Sequence, residues 1–100
     1  MHTLRLSKRA QKDLKNLDKL EMTKALQALR QLSTDPHAGH TLAGSLRGVR
    51  SLEFSTPGGA YRAAYVISGE ECIVFLVGSH EGFYKKAERR YEALWNIDKS

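Results

Sequence analysis

Three groups of residues in this 100-residue chain have types and spacings that suit chemistry on a phosphate. In Gly78-Ser79-His80-Glu81-Gly82-Phe83-Tyr84, an imidazole and a phenol stand four residues apart. His80 can exchange protons near neutral pH, and Tyr84 offers a hydroxyl and an aromatic face. The segment falls where a strand ends and a helix is expected from about Glu81. Both side chains would then lie near a helix N-terminus, where free amides and the dipole favour an anion. The plainer reading of the pair is a capping histidine and a half-buried tyrosine. The second group is Tyr61-Arg62-Ala63-Ala64-Tyr65. Strand alternation puts Tyr61, Ala63, Tyr65 and Ile67 on one face and Arg62, Ala64 and Val66 on the other. Arg62 is thus a charge among small residues, and its planar fork matches a phosphate bidentately. Pairing with an acid such as Glu53 on the neighbouring strand accounts for it equally well, and the two readings are compatible. The third group is Arg47, Arg50 and Glu53. Alternation sets Arg50, Leu52 and Phe54 on one side of a strand, and Ser51, Glu53 and Ser55 on the other. Arg47 and Arg50 read as contacts to RNA or a protein partner rather than as catalytic groups. Cys72 reads as a small core hydrophobe with nothing beside it to activate the thiol. Trp95 reads as a packing residue, and the spacing of His37 and His40 is too loose for a metal site.

The elements that must position these groups follow from periodicity. Residues 3–6 place Leu4 and Leu6 on one face of a short strand. Ser7 is a natural N-cap, and Ala10, Leu14 and Leu17 then form a narrow apolar stripe on a helix that carries Lys8, Arg9, Lys12 and Lys15 elsewhere. Asp18-Lys19-Leu20-Glu21 has the spacing of a capping box, so a second helix starts near Asp18 or Thr23. Its apolar face is Met22, Ala25, Leu26, Leu29 and Leu32. Asp35-Pro36 ends it, because the residue before proline is pushed out of helical geometry. The two helices are expected to pack antiparallel across a tight turn. Residues 37–48 read as a glycine-rich loop pinned by Leu42 and Leu46. Residues 49–55, 61–68 and 72–78 are rich in β-branched and aromatic residues and read as a strand meander. At Thr56-Pro57-Gly58-Gly59, Pro57 presets a turn and Gly58 is expected to supply the positive φ. Residues 81–96 read as a helix with Phe83, Ala87, Tyr91 and Leu94 along one side. No internal repeat, low-complexity stretch or linker interrupts this order.

Composition narrows the classes. With 41% hydrophobic and 27% charged residues, the chain has an ordinary globular mixture, and its length suits one domain over residues 1–100. One cysteine excludes an internal disulfide, and one Cys with four His lacks zinc-finger spacing. The longest apolar run, residues 73–78, is too short to cross a bilayer, so no membrane partner is expected. Met1-His2-Thr3-Leu4-Arg5 carries no apolar signal core, and a cytoplasmic location is expected. The formal charge is +5, from 16 basic and 11 acidic residues. Residues 1–32 hold eight basic and three acidic side chains, which is the whole excess, while the remainder is balanced. That surface is either a solvated helix face or one that meets a polyanion.

The order of elements, Leu6-Ser7-Lys8-Arg9-Ala10, Asp35-Pro36, Leu42-Ala43-Gly44, Leu46-Arg47-Gly48, Tyr61-Arg62-Ala63-Ala64-Tyr65 and residues 78–84 together resemble the RelE/ParE superfamily of toxins from bacterial toxin–antitoxin pairs, from Leu4 to Leu94. The resemblance implies an α+β fold, β-α-α-β-β-β-α, with a small, mostly antiparallel twisted sheet, two N-terminal helices packed as a hairpin and a C-terminal helix. It implies a ribonuclease that needs neither metal nor cofactor and cuts messenger RNA on the ribosome, the RNA's own 2′-hydroxyl attacking the adjacent phosphate. By position, Arg62 would clamp the phosphorane oxygens. His80, where many relatives carry Arg, would be a general acid or base, and Tyr84 would transfer a proton or stack on a base. Relatives carry lysines on the first meander strand. Ser51 and Glu53 stand there instead, which makes Glu53 a candidate base with His80 as the acid. Arg47, Arg50, Lys85, Lys8 and Lys12 are the expected RNA contacts. The family also contains ParE-like gyrase poisons that act by protein binding, and degenerate members that only engage an antitoxin. In each case a cognate antitoxin is implied, forming a hetero-oligomer, with ribosome and mRNA as further partners of the nuclease.

Overall fold

The structure, a computed structural model, describes residues 2–99, and side chains for 2–94, so that of Trp95 lies outside the described residues. Thr3–Leu6 form β1, with Leu4 and Leu6 turned to the core. Ser7 ends the strand and caps α1, Lys8–Lys15, its Oγ accepting from the Ala10 amide at 3.1 Å. Ala10 and Leu14 are buried, and Leu17 packs beside them from just beyond the helix. Asp18 begins α2, Lys19–Arg30, through the full capping box: its Oδ1 accepts from the Glu21 amide at 2.8 Å, and Glu21 Oε1 accepts from the Asp18 amide at 3.4 Å. The α-helical part stops before Asp35-Pro36. It tightens into a 3-10 turn at Gln31–Ser33 that buries Leu32, where the Ser33 and Thr34 hydroxyls donate to the carbonyls of Arg30 and Gln31 at 2.9 and 3.2 Å.

The loop at residues 37–48 is more ordered than its composition suggests. His40–Thr41 form a two-residue strand, β2, and Gly44–Leu46 a 3-10 turn that buries Leu46. Then come β3 (Arg50–Thr56), β4 (Gly59–Ser68) and β5 (Glu71–Ser79). The sheet order is β1-β5-β4-β3-β2, with β1 parallel to β5 and the other neighbours antiparallel. The β3–β4 turn corrects one expectation. Gly59, not Gly58, has positive φ, at 119°. The Thr56 hydroxyl accepts from the Gly58 amide at 3.1 Å and donates to the Gly59 carbonyl at 3.0 Å, which moves the left-handed step one residue later.

Each face of the sheet is covered. Leu52, Ala63, Tyr65, Cys72, Val74 and Val77 meet the α1–α2 hairpin. Val49, Ala64, Phe75 and Leu76 meet Leu46 and the helix α3 (Phe83–Lys99), which inserts Phe83 and Ala87. α3 begins two residues later than expected, because Gly82 sits at φ 61° and turns the chain first. A bulge between β4 and β5 pairs Ala64 with Leu76 but Tyr65 with Val74. Phe75 is the extra residue, and it reverses the alternation of β5 beyond that point. Gly78 therefore lies beside Arg62 on the α3 face.

Candidate active site

Arg62 is the centre of the site, and three elements position what surrounds it. It projects from β4 on the α3 face, among Ala64 and Val66, as the alternation requires. Glu53 is its direct cross-strand partner on β3, and Glu53 Oε2 lies 3.0 Å from Arg62 Nη2. Tyr84, in the first turn of α3, accepts a hydrogen bond from Arg62 Nη1 through its hydroxyl oxygen, leaving the phenolic proton free to be donated elsewhere. The guanidinium carbon stands 5.4 Å from the centre of the Tyr84 ring, within cation–π range. Tyr84 is 45% exposed, and its ring is steadied edge-on by Phe83 at 5.7 Å. On the other side of Arg62 the paired position is Gly78, where an added Cβ would meet nothing within 4 Å. The arrangement is a cation held by a carboxylate and a phenol beside open space.

His80 lies in the turn between β5 and α3 and is exposed. Its carbonyl accepts from the Phe83 amide at 3.4 Å, and its imidazole makes no hydrogen bond or ion pair among the described residues. It is close in sequence to Tyr84 but not joined to the Arg62–Glu53–Tyr84 cluster. Lys85 is exposed on α3, Arg47 is exposed at the end of the Gly44–Leu46 turn, and Lys8 and Lys12 are exposed on α1. Arg50 has a different situation. Alternation sends it to the hairpin face, opposite to Glu53, where its Nη2 donates to the carbonyls of His37 and Gly39 at 3.1 and 2.8 Å. It holds the loop against the sheet. Among the described residues no group of three or more His, Cys, Asp or Glu side chains is placed to hold a metal ion.

Two supports of the site escaped the sequence reading. Beyond Leu6, β5 has no neighbour in β1, so its edge would be left open. Asp13 of α1 accepts from the Val77 amide at 2.9 Å and pairs with Arg90 of α3, while Arg90 Nη1 donates to the Phe75 carbonyl at 3.1 Å. One ion pair thus closes the strand edge and ties α1 to the helix that carries Tyr84. The only signal was a lone acid within a basic helix stripe. On the reverse face of β4, Tyr61 donates to Glu21 Oε2 at 2.8 Å, which anchors the β3–β4 hairpin to the start of α2. That hydrogen bond, with burial and the negative charge of Glu21 adding to it, raises the Tyr61 phenol above its usual range.

A family model for the ParE-like toxin of type II bacterial toxin–antitoxin systems matches residues 4–88. No curated protein sequence matches the chain. Among solved structures, the RelBE2 toxin–antitoxin complex of Mycobacterium tuberculosis contains a chain that superposes with a TM-score of 0.71 at 24% identity, over 79% of this chain and 98% of that one. A mutant of the E. coli toxin RelE in the free state gives 0.69 at 20% identity, over 87% and 92%. A conserved hypothetical protein of Helicobacter pylori gives 0.57 at 26% identity, over 80% and 96%. At such identities the likeness is one of fold, and the chemistry rests on the residues of this chain.

Proposed function

The chain belongs to the ParE-like toxin family of type II bacterial toxin–antitoxin systems, and from that premise we propose that this toxin is an endoribonuclease acting on ribosome-bound messenger RNA in the cytoplasm. The observation that carries the reading is Arg62, held between Glu53 and Tyr84 beside open space at Gly78. A guanidinium so placed suits the two non-bridging oxygens of a phosphodiester. In the proposed reaction the 2′-oxygen forms a bond to phosphorus as the bond to the 5′-oxygen breaks. Glu53 takes the proton of the attacking hydroxyl, His80 protonates the leaving oxygen, and Arg62 stabilises the charge that builds on the phosphorane. The products are a 2′,3′-cyclic phosphate and a 5′-hydroxyl. The exposed ring of Tyr84 stacks on a base, and its free phenolic proton is a second donor near the reacting phosphate. Arg47, Lys85, Lys8 and Lys12 contribute charge towards the RNA backbone, whereas Arg50 serves by holding the loop.

Mapping the 5′ ends of cellular messages after induction, with Arg62→Ala, His80→Ala and Tyr84→Ala beside the wild type, tests this reading. Codon-phased cuts are expected in the wild type. Cleavage should fall about 100-fold or more for Arg62→Ala and His80→Ala, with growth arrest relieved and the fold retained. Full toxicity in all three variants overturns the catalytic assignment. The match to a ParE-like family model leaves room for a second reading, a gyrase poison acting by protein contact. Intact messages with an induced DNA-damage response would select it.

A cognate antitoxin is part of either reading. A cleft of about 520 Å³ between α1 and α3 has Phe75, Ala93 and Leu94 as an apolar floor and Lys8, Arg9 and Arg90 as a basic rim. Those features suit an amphipathic helix with an acidic face.

A further inference from the structure

We propose that Glu53 gates Arg62: its carboxylate occupies the seat of the substrate phosphate, and a phosphodiester binds by displacing it and accepting from both Nε and Nη2 of the guanidinium. The inference rests on the reading of Arg62 as the phosphate-binding group. In the free protein Nη1 is engaged by Tyr84 and Nη2 by Glu53, while Nε is buried and has no hydrogen-bond partner. Nε and Nη2 share one edge of the planar fork. Glu53 is therefore paired with that edge through one oxygen at Nη2 alone, an ion pair at 3.0 Å rather than a hydrogen bond, and Nε is left unpaired, a standing cost for a buried group. An oxyanion with two oxygens in one plane satisfies both donors at once, the arrangement for which the arginine fork is pre-shaped.

The two sides of the competition are unequal in a second way. The Glu53 side chain is 55% exposed against 25% for Arg62, so the carboxylate can swing into water while the guanidinium stays seated. An ion pair with one partner so far in solvent is weak and easily exchanged. Tyr84 keeps the far edge of the fork in place during the exchange, and the empty space at Gly78 admits the incoming group. Once displaced, Glu53 remains tethered on the adjacent strand, next to the phosphate it has admitted.

The test is a titration of the full chain with a 2′-O-methyl trinucleotide, which has phosphodiesters but no attacking hydroxyl. Wild type, Glu53→Gln, Arg62→Ala and Glu81→Gln are compared by calorimetry, and the Arg62 Nε–H resonance is followed by NMR. Glu53→Gln should bind about fivefold tighter or better, Glu81→Gln within about twofold of wild type, and the Nε–H signal of wild type should move downfield as it gains an acceptor. If Arg62→Ala abolishes binding while Glu53→Gln binds no tighter than wild type, the gate is wrong and the phosphate reading stands. If Glu81→Gln tightens binding as much as Glu53→Gln, the effect is general charge and the gate is likewise wrong. If Arg62→Ala binds as wild type does, or no form binds, the phosphate reading itself fails.

Discussion

Single side chains here do two kinds of work on the two faces of β4. Arg62 faces the site, and its neighbour Tyr61 faces α2, where it donates to Glu21. The donor is the protonated phenol, so the folded state holds that proton more tightly than the unfolded chain does. Its contribution is complete below the ordinary phenol value of 10.0 and is lost as pH rises through the higher folded value. Tyr61→Phe should cost about 1.5 kcal/mol at neutral pH, the lower end for a bond to a charged group because the pair is only part-buried. The gap between variant and wild type should close above pH 10, as read by urea unfolding across pH 7 to 11. Burial raises the Cys72 thiol too, but that contribution is common to both proteins and cancels in the difference. Alternation made both residues legible in advance, since a period of two assigns the faces of a strand without knowledge of the fold.

At the scale of elements, the stop signals and caps are local and were readable. Ser7 and Asp18 bond amides three residues away, within the reach of sequence spacing. The helix α3 is different, because its seat depends on Asp13, 77 residues from Arg90. Asp13→Ala would leave the Arg90 guanidinium and the Val77 amide without their partner in a part-buried place. The loss should be about 2–3 kcal/mol, somewhat below that of a fully buried pair, which lowers the melting temperature by roughly 10 °C or more. Thermal unfolding of Asp13→Ala, Arg90→Ala and the double variant checks it. Strict additivity of the two single effects would show that the pair is not the link between α1 and α3.

For the whole molecule, the relevant quantity is where the charge lies. The excess of +5 belongs to residues 1–32, whereas Arg62, Glu53 and Tyr84 lie on β3, β4 and α3. Docking on a polyanion and chemistry at Arg62 are therefore separable. Lys8 and Lys12, one helical turn apart on α1, should affect only the first. Changing both to Gln should reduce the slope of log affinity for single-stranded RNA against log salt by about 1.4. The rate of cleavage at saturating RNA should be unchanged. A slope equal to that of wild type would remove α1 from the docking surface.

The order of the helices and of every strand but the two-residue β2, the two helix caps, the faces of β3 and β4 and Glu53 as an available partner for Arg62 were all determined by the sequence. Each depends on neighbours in the chain or on a period of two or 3.6 residues. The tertiary structure alone decided that β1 lies parallel to β5, that Phe75 bulges and brings Gly78 beside Arg62, that Arg50 finds the His37 and Gly39 carbonyls and holds the loop, and that Tyr84 closes on the guanidinium. Those arrangements join residues between 11 and about 70 positions apart. No local preference encodes them, because they form only when packing of both sheet faces outweighs the entropy of closing such loops.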